Sequence, residues 1–253
     1  MNKILKNSFP CKIALVLFAL ILLSFILPQP KITVWLIGDS TMAKKEAKAF
    51  PETGWGMELA GFFDNSVTIE NKALNGRSTK SFINENHWQP VLDNIKTGDY
   101  VLIEFGHNDE KIDKPAVGTS IDEFKTNLVK YVVETRQKGG IPILLTPITR
   151  RSFKNGVLSD THGLYPTATK SVADSLKVPL IDLLTKTKLV LTKLGDDSSK
   201  TLYNYVEPCD INYPNGKKDD THLSPVGAKK IAALAVEGIV DLNLELSKRL
   251  LKH

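Results

Sequence analysis

From residue 32 onward the chain alternates between two kinds of apolar pattern. Short apolar runs occur at Ile32–Ile37, Val67–Ile69, Tyr100–Ile103 with Phe105, Ile141–Leu145 and Val178–Ile181. Their length and residue types predict five buried strands. Between them, apolar residues recur at helical spacing from Trp55 to Phe63, in Ile121–Lys138 and, with an early interruption, from Pro166 to Lys177. In the second of these, Phe124, Leu128, Tyr131 and Val132 share one face, and Gly139-Gly140 stops the helix. Ser224-Pro225 supplies an N-cap and a first-turn proline for a last helix running toward the C-terminus. Continuous apolar strands alternating with helices predict an α/β fold, a three-layer sandwich whose central five-stranded parallel sheet is covered on both faces. Two irregular stretches, Gly106–Ser120 and Asp196–Thr221, are longer than ordinary connections and are candidate functional loops.

The first thirty residues follow a different rule. Lys3, Lys6 and Lys12 precede Ile13–Leu27, a run of fifteen residues in which only Ser24 is polar, and Pro28 and Pro30 end it. A membrane span needs about 20 apolar residues, so residues 1–30 read as a secretory signal peptide. No small-x-small pair sits near Pro28, which keeps open an uncleaved anchor through residues 13–27. Residues 31–253 then form one large domain, secreted or periplasmic, or held at a membrane if the segment stays. A lipidated cysteine would follow the apolar run, whereas Cys11 precedes it. Cys209 is the one cysteine left after residue 30, so the domain has no intrachain disulfide. Removing three lysines and no acid lowers the net charge from +5 to +2, too mild and dispersed for a nucleic-acid partner.

In an open α/β sheet, ligands bind beyond the carboxyl ends of the strands. The first strand runs into Gly38-Asp39-Ser40-Thr41, the second into Asn75-Gly76-Arg77-Ser78, the third into Gly106-His107-Asn108-Asp109, and Asp219-Asp220-Thr221-His222 precedes the last helix. Each alone has an ordinary reading: a turn at Gly-Asp-Ser, a positive-φ position at Gly76, a turn-former at Asn108, a surface histidine at His222. Their conjunction, at strand ends or before the last helix and in one consistent order, points instead to shared chemistry. A serine hydroxyl needs a base to take its proton, imidazole titrates near neutrality, and a carboxylate behind the ring fixes its tautomer. Asp219, three residues before His222, can share a face of a tight turn with it. Asp220 tends to point elsewhere, as a solvent-facing or capping residue. Asp39 reads as the cap of the turn after the first strand. His87, His107 and His162 have no metal-ligand spacing, no cysteine pattern suits zinc and no glycine motif cradles phosphate, so no metal or cofactor is expected.

The four blocks, in this order, resemble those of the SGNH (GDSL-type) hydrolases over residues 32–240. Within that superfamily the chain is similar to the rhamnogalacturonan acetylesterase group. The similarity rests on Thr41 where GDSL lipases have leucine, on Gly76–Phe82, on Glu104–Asp109, on Arg150-Arg151-Ser152-Phe153, on Asp160–Gly163 and on Tyr165-Pro166. The resemblance implies a flavodoxin-like sandwich and an esterase. Ser40 matches the nucleophile, His222 the base and Asp219 its orienting carboxylate. The N–H of Ser40, the N–H of Gly76 and the side-chain amide of Asn108 match the oxyanion hole.

The implied substrate is an acetylated plant cell-wall polysaccharide such as rhamnogalacturonan or pectin. The alternative is an SGNH esterase for acetylated xylan, small esters or lipids. A lipase is disfavoured by the Arg150-Arg151 segment and the lack of a long apolar lid. A silent carbohydrate-binding module would not need the five-residue set. Arg77, Arg150 and Arg151 are candidates to pair with substrate carboxylates. Trp88 is a candidate sugar platform, with a half-buried helix position as its plainer reading. Trp35, within the first strand, is a core residue.

Overall fold

The computed structural model describes residues 30–251. The proposed signal or anchor segment lies outside the described residues. Among the described residues no helix is long and apolar enough to cross a membrane.

The elements in chain order are β1 Ile32–Gly38, α1 Trp55–Glu58, β2 Val67–Asn71, α2 Thr79–Asn84, α3 Trp88–Asn94, β3 Tyr100–Glu104, α4 Ile121–Gln137, β4 Ile141–Leu145, β5 Phe153–Lys154, β6 Val157–Leu158, α5 Tyr165–Leu176, β7 Leu180–Ile181, α6 Leu183–Ser199 and α7 Pro225–Asp241. Five of the strands form one sheet in the order β2-β1-β3-β4-β7, while β5 and β6 make a small antiparallel hairpin. Every pairing in the larger sheet is parallel. The chain leaves β1 to one side for β2 and returns on the other side as β3. The β1–β3 boundary is therefore the switch point at which such sheets open a crevice.

The side-chain period of two sorts each strand between two cores. Val34, Leu36, Tyr100, Leu102, Ile143 and Leu145 face one layer, where they pack with Trp55, Leu59 and the α7 residues Ala228, Ile231, Ala235 and Ile239. Trp35, Ile37, Val101, Ile103 and Leu144 face the other, with Phe82, Phe124, Leu128, Tyr131 and Val172. In the central strands both faces are buried, which is why these read as nearly continuous apolar runs. The α4 face expected from Phe124, Leu128, Tyr131 and Val132 is buried as drawn, and Ser120 caps the helix by accepting from the Glu123 N–H.

The helical stretch expected over Trp55–Phe63 is a single α-turn followed by a 3-10 turn at Leu59–Phe62. The expected irregular stretch from Asp196 begins inside α6, which the pattern does not predict. Leu189 is 67% exposed and Leu194 39%, so the apolar residues of α6 do not keep to one stripe. The short α2 is also unannounced: Ser78 caps it in a reciprocal box with Ser81, where a Glu or Gln is the usual signature.

The start of α7 is set by the expected cap, with Ser224 accepting from the Gly227 N–H at 3.1 Å. Gly227 lies against the backbone of the preceding 3-10 turn, where an added Cβ would sit 1.8 Å from the Leu202 carbonyl oxygen. The same turn holds the segment before α7, since Ser224 N–H donates to Leu202 O at 3.1 Å and Asn204 N–H to His222 O at 2.8 Å. We expect Gly227→Ala to lower unfolding free energy by about 1–3 kcal/mol, the usual cost of overpacking. Thermal melting checks this, and a midpoint unchanged within a degree would contradict the close approach.

Candidate active site

Ser40 sits two residues beyond the end of β1, on a turn closed by Met42 N–H and Ala43 N–H donating to Asp39 O at 3.3 and 3.1 Å. Asp39 caps this turn, its Oδ1 accepting from the backbone N–H and the hydroxyl of Thr41 at 3.0 and 2.9 Å. Across 182 residues of sequence, His222 Nε2 lies 2.9 Å from Ser40 Oγ. His222 Nδ1 lies 2.9 Å from Asp219 Oδ2. The other oxygen, Asp219 Oδ1, accepts from the backbone N–H groups of Thr221 and His222, both at 2.9 Å. Burial pushes the Asp219 carboxyl up, but the His222 side chain and backbone and the Thr221 N–H outweigh it and hold it well below the usual carboxylate range. An ionised Asp219 requires the ring hydrogen on Nδ1, which leaves the Nε2 lone pair facing the Ser40 hydroxyl.

Charged residues that the sequence did not single out surround this pair. Lys45 is 8% exposed, and its Nζ donates to Ser40 O at 2.6 Å and to Asn75 Oδ1 at 2.8 Å. It also pairs with Glu52 Oε1 at 2.8 Å. Lys217 lies 3.5 Å from Glu52 Oε2 and 3.3 Å from Asp219 Oδ2. Alternating charges thus link the Ser40 turn to the Asp219–His222 pair. Glu52, Asp219 and His222 offer ligand atoms within 4.8 Å of one another, yet the Lys217 ammonium already serves the two carboxylates there. In sequence Lys45 belongs to Lys44-Lys45-Glu46, which reads as a solvated surface run.

The second block forms a turn in which Arg77 N–H donates to Leu74 O at 3.3 Å, and Leu74 N–H ties it to Gly38 O at 3.0 Å. Gly76 takes φ +77° there, and no heavy atom lies within 4 Å of where its Cβ would be. The glycine is thus required by the backbone, and the space beside it stays open. Asn108, 3% exposed, donates from Nδ2 to Arg77 O at 3.0 Å. Its Oδ1 accepts from Lys111 Nζ at 2.6 Å.

A buried polar chain lies behind these turns. His107 Nδ1 is 3.3 Å from Asp39 Oδ2, and the His107 ring meets His162 edge-on at 4.6 Å. His162 bonds Glu110 Oε2 at 3.0 Å and Ile148 O at 2.9 Å. Burial above all, with Arg150 and His162 nearby, lowers His107 to about 4 against the pull of Asp39. Asp39 is lowered to about 2, the His107 and Thr41 contacts outweighing burial. Glu104 accepts from Trp55 Nε1 at 2.7 Å and Ile148 N–H at 3.2 Å. Burial, aided by the charge of Asp39, raises it to about 8.

The substrate-contact candidates divide. Arg77 is half-exposed beside Gly76, with Nε and Nη2 each 2.8 Å from Glu85 Oε2. Arg150 pairs with Glu110 Oε1 at 2.5 Å and donates to His107 O at 3.1 Å. Arg151 is instead 5% exposed, bonded to Asp220 Oδ1 at 2.6 Å and Tyr205 Oη at 3.1 Å, and paired with Asp196. Its guanidinium is spent on partners within the protein; Asp220 faces solvent as expected and is one of those partners rather than a cap. Trp88 is 2% exposed, edge-on to Tyr131 at 5.0 Å, with Nε1 donating to Glu134 at 2.6 Å. It belongs to the core and presents no face to a sugar.

Glu104 gives a pH dependence of stability with a definite sign. Its folded value exceeds its unfolded one, so the folded state holds a proton that the unfolded chain releases. The contribution is complete below about 4.5 and is lost as pH rises through about 8. Asp109, which burial raises to about 7, acts in the same direction. We expect the melting midpoint to fall as pH rises from about 5 to 9, and Glu104→Gln, which cannot ionise, to fall less steeply from a lower start. Parallel curves for the two proteins would count against this.

The comparisons with known proteins agree with this geometry. The GDSL-like lipase/acylhydrolase family matches residues 36–230. A rhamnogalacturonan acetylesterase of Bacillus subtilis is 40% identical over 224 residues, covering 88% of this chain and 95% of the relative. The rhamnogalacturonan acetylesterase of Emericella nidulans is 28% identical over 235 residues, covering 85% and 87%. The solved structure of the Bacillus subtilis protein YxiM superposes with a TM-score of 0.74 at 26% identity, over 86% of this chain and 58% of that longer one. The parallel five-stranded sheet, the strand-end turns and these relatives together place the chain in the GDSL-like lipase/acylhydrolase family.

Proposed function

We propose that the chain is a serine esterase that removes acetyl groups from rhamnogalacturonan. The observation that carries the chemistry is the Ser40–His222–Asp219 relay, with both contacts to the ring at 2.9 Å. Ser40 Oγ attacks the acetyl carbonyl as His222 Nε2 takes its proton, and Asp219 stabilises the imidazolium. The tetrahedral intermediate collapses, the C–O bond to the sugar breaks, and His222 returns the proton to the leaving sugar hydroxyl. Water, deprotonated by His222, then attacks the acetyl-enzyme and releases acetate. The developing oxyanion needs preset donors. Three N–H groups serve: those of Ser40, of Gly76 and the second hydrogen of Asn108 Nδ2, none of which has a protein acceptor among the described residues. The substrate assignment rests on the 40% identical relative, matched over 95% of its length. Export by residues 1–30 belongs to the same reading. The mass of the product released into the medium tests it, since retention in the membrane fraction would favour an anchor.

We expect Ser40→Ala to lower acetate release from acetylated rhamnogalacturonan by about a millionfold at most and at least ten-thousandfold, with the circular dichroism spectrum unchanged. Activity within tenfold of the parent would remove Ser40 from the mechanism. A panel including acetylated xylan and small esters tests the substrate.

The two aspartates before His222 should separate cleanly. Asp219→Asn places an amide where a carboxylate fixes the imidazole tautomer, and we expect kcat to fall by about a thousandfold or more. Asp220→Asn weakens the contact to Arg151 and should lower the melting midpoint while leaving kcat within about tenfold. Kinetics and melting curves of both variants, measured on one substrate, decide the matter, and the reverse order would mean that Asp220 orients the histidine.

A further inference from the structure

Lys111 has an unusual partner for an ammonium group. It forms no ion pair among the described residues; its Nζ bonds the side-chain oxygen of Asn108 at 2.6 Å. The carboxylate next to it in sequence, Glu110, spends its oxygens on Arg150 and His162. Burial first, then Lys114 and Arg150, pull the Lys111 ammonium below the usual lysine range, with Asp39 and Glu110 acting the other way. A cation held at this cost against a neutral amide needs a reason.

The hydrogen-bond count of the Asn108 amide supplies one. An asparagine side chain has one acceptor oxygen and two N–H hydrogens. The oxygen is taken by Lys111 and one hydrogen by Arg77 O at 3.0 Å. Lys111 can only donate and a carbonyl can only accept, so the amide cannot flip without facing donor to donor and acceptor to acceptor. One N–H is left, in a fixed direction, beside the Gly76–Arg77 turn. We infer that Lys111 is a positioning residue for the oxyanion hole, which locks the Asn108 amide with its free N–H toward the reacting carbonyl. This rests on the proposed role of Asn108 in ester hydrolysis. The ammonium also polarises the amide through its oxygen, which strengthens the N–H at the other end as negative charge develops. The long Gly106–Ser120 loop thereby acquires a function. The loop opens with Glu110 N–H donating to Gly106 O at 3.2 Å, and the next turn, closed by Lys111 N–H donating to Asn108 O at 3.1 Å, folds Lys111 back toward the asparagine.

The test is a double-mutant cycle on the full-length protein with p-nitrophenyl acetate as the probe, following kcat, KM and the melting midpoint. Removing one oxyanion donor, as in Asn108→Ala, should lower kcat by about 100- to 1000-fold. We expect Lys111→Met to lower kcat by about 10- to 100-fold with KM within threefold, on the order of a lost electrostatic contribution to one donor. Lys111→Arg, which keeps a cationic donor, should recover most of the loss. In the Asn108→Ala background Lys111→Met should cost less than about threefold, because residues acting as a unit are not additive. If Asn108→Ala is damaged and Lys111→Met is not, or if Lys111→Met costs the same in both backgrounds, the positioning role is wrong and the esterase reading stands. A raised KM with unchanged kcat would make Lys111 a substrate contact and equally overturn the role. If Asn108→Ala is itself near wild type, the proposed oxyanion hole fails and the inference goes with it. Should Lys111→Met fold poorly, Lys111→Gln, a neutral donor of similar length, takes its place in the cycle.

Discussion

The parallel pairing of β1 with β3 places Gly38 opposite Glu104, and the rest of the site depends on that register. Each strand ends there and turns, one into Asp39–Ser40–Thr41, the other into Gly106–His107–Asn108. A slip of one residue would exchange the two cores and turn Trp35 and Ile37 into the layer that Val34 and Leu36 occupy. Because both layers are fully packed, that slip is prohibited, and the two turns stay at the same height. The register therefore converts a packing constraint into the placement of the proposed nucleophile beside a proposed oxyanion donor.

A second level of order holds the turns themselves. Every turn at the strand ends is tied to another by a charged or buried polar side chain. Asp39 caps its own turn and faces His107, Lys45 joins the Ser40 and Asn75 carbonyl groups, and Arg151 grips Asp220 one residue from Asp219. Such groups are costly to bury, and most of that cost is offset by paired partners; among the described residues Asp39 Oδ2 and both ring nitrogens of His107 are left without a hydrogen bond, Oδ2 facing Nδ1. The outcome is a rigid arrangement on loops, whose backbone alone would be too mobile to hold a hydroxyl and an imidazole at hydrogen-bond distance. The pronounced pKa displacements at Asp39, Glu104 and His107 belong to this scaffold, behind the Ser40–His222 contact rather than on it.

Much of this was legible in the sequence, for physical reasons that can be named residue by residue. The central strands of the parallel sheet are buried on both faces, so Val34–Ile37 and Ile141–Leu145 had to be apolar. Helix α4 carries its whole buried stripe within one sequence window, and α7 begins at a Ser-Pro pair whose cap geometry is local. The turns bearing Ser40, Gly76 and Asn108 were found because strand ends are where an open sheet binds ligands, and His222 with Asp219 because their contact spans three residues. Helix α6 was missed because its apolar residues are spread around the helix, with Leu189 left in solvent. Arg151 was misplaced because a guanidinium has the same appearance in sequence whether it meets a ligand or a partner inside the protein, whereas Trp88 took the plainer of its two readings, a helix residue, and is buried in the core.

The division follows from the range of the forces. Hydrophobic periodicity, capping and turn chemistry act over a few residues, so the sequence by itself determined the class of fold, the order of its strands and helices, and the residue types at the strand ends. Ion pairs and buried hydrogen bonds join residues far apart along the chain: Lys45 to Asn75, Arg151 to Asp220, Arg77 to Asn108, His222 to Ser40. No local pattern encodes which donor will meet which acceptor. Only the tertiary structure, by bringing five strand ends and one helix start to the same edge, decided that Lys45 and Lys111 are bound to the site, that Arg151 holds the turn before His222 from within the protein, and that Trp88 is enclosed in the core.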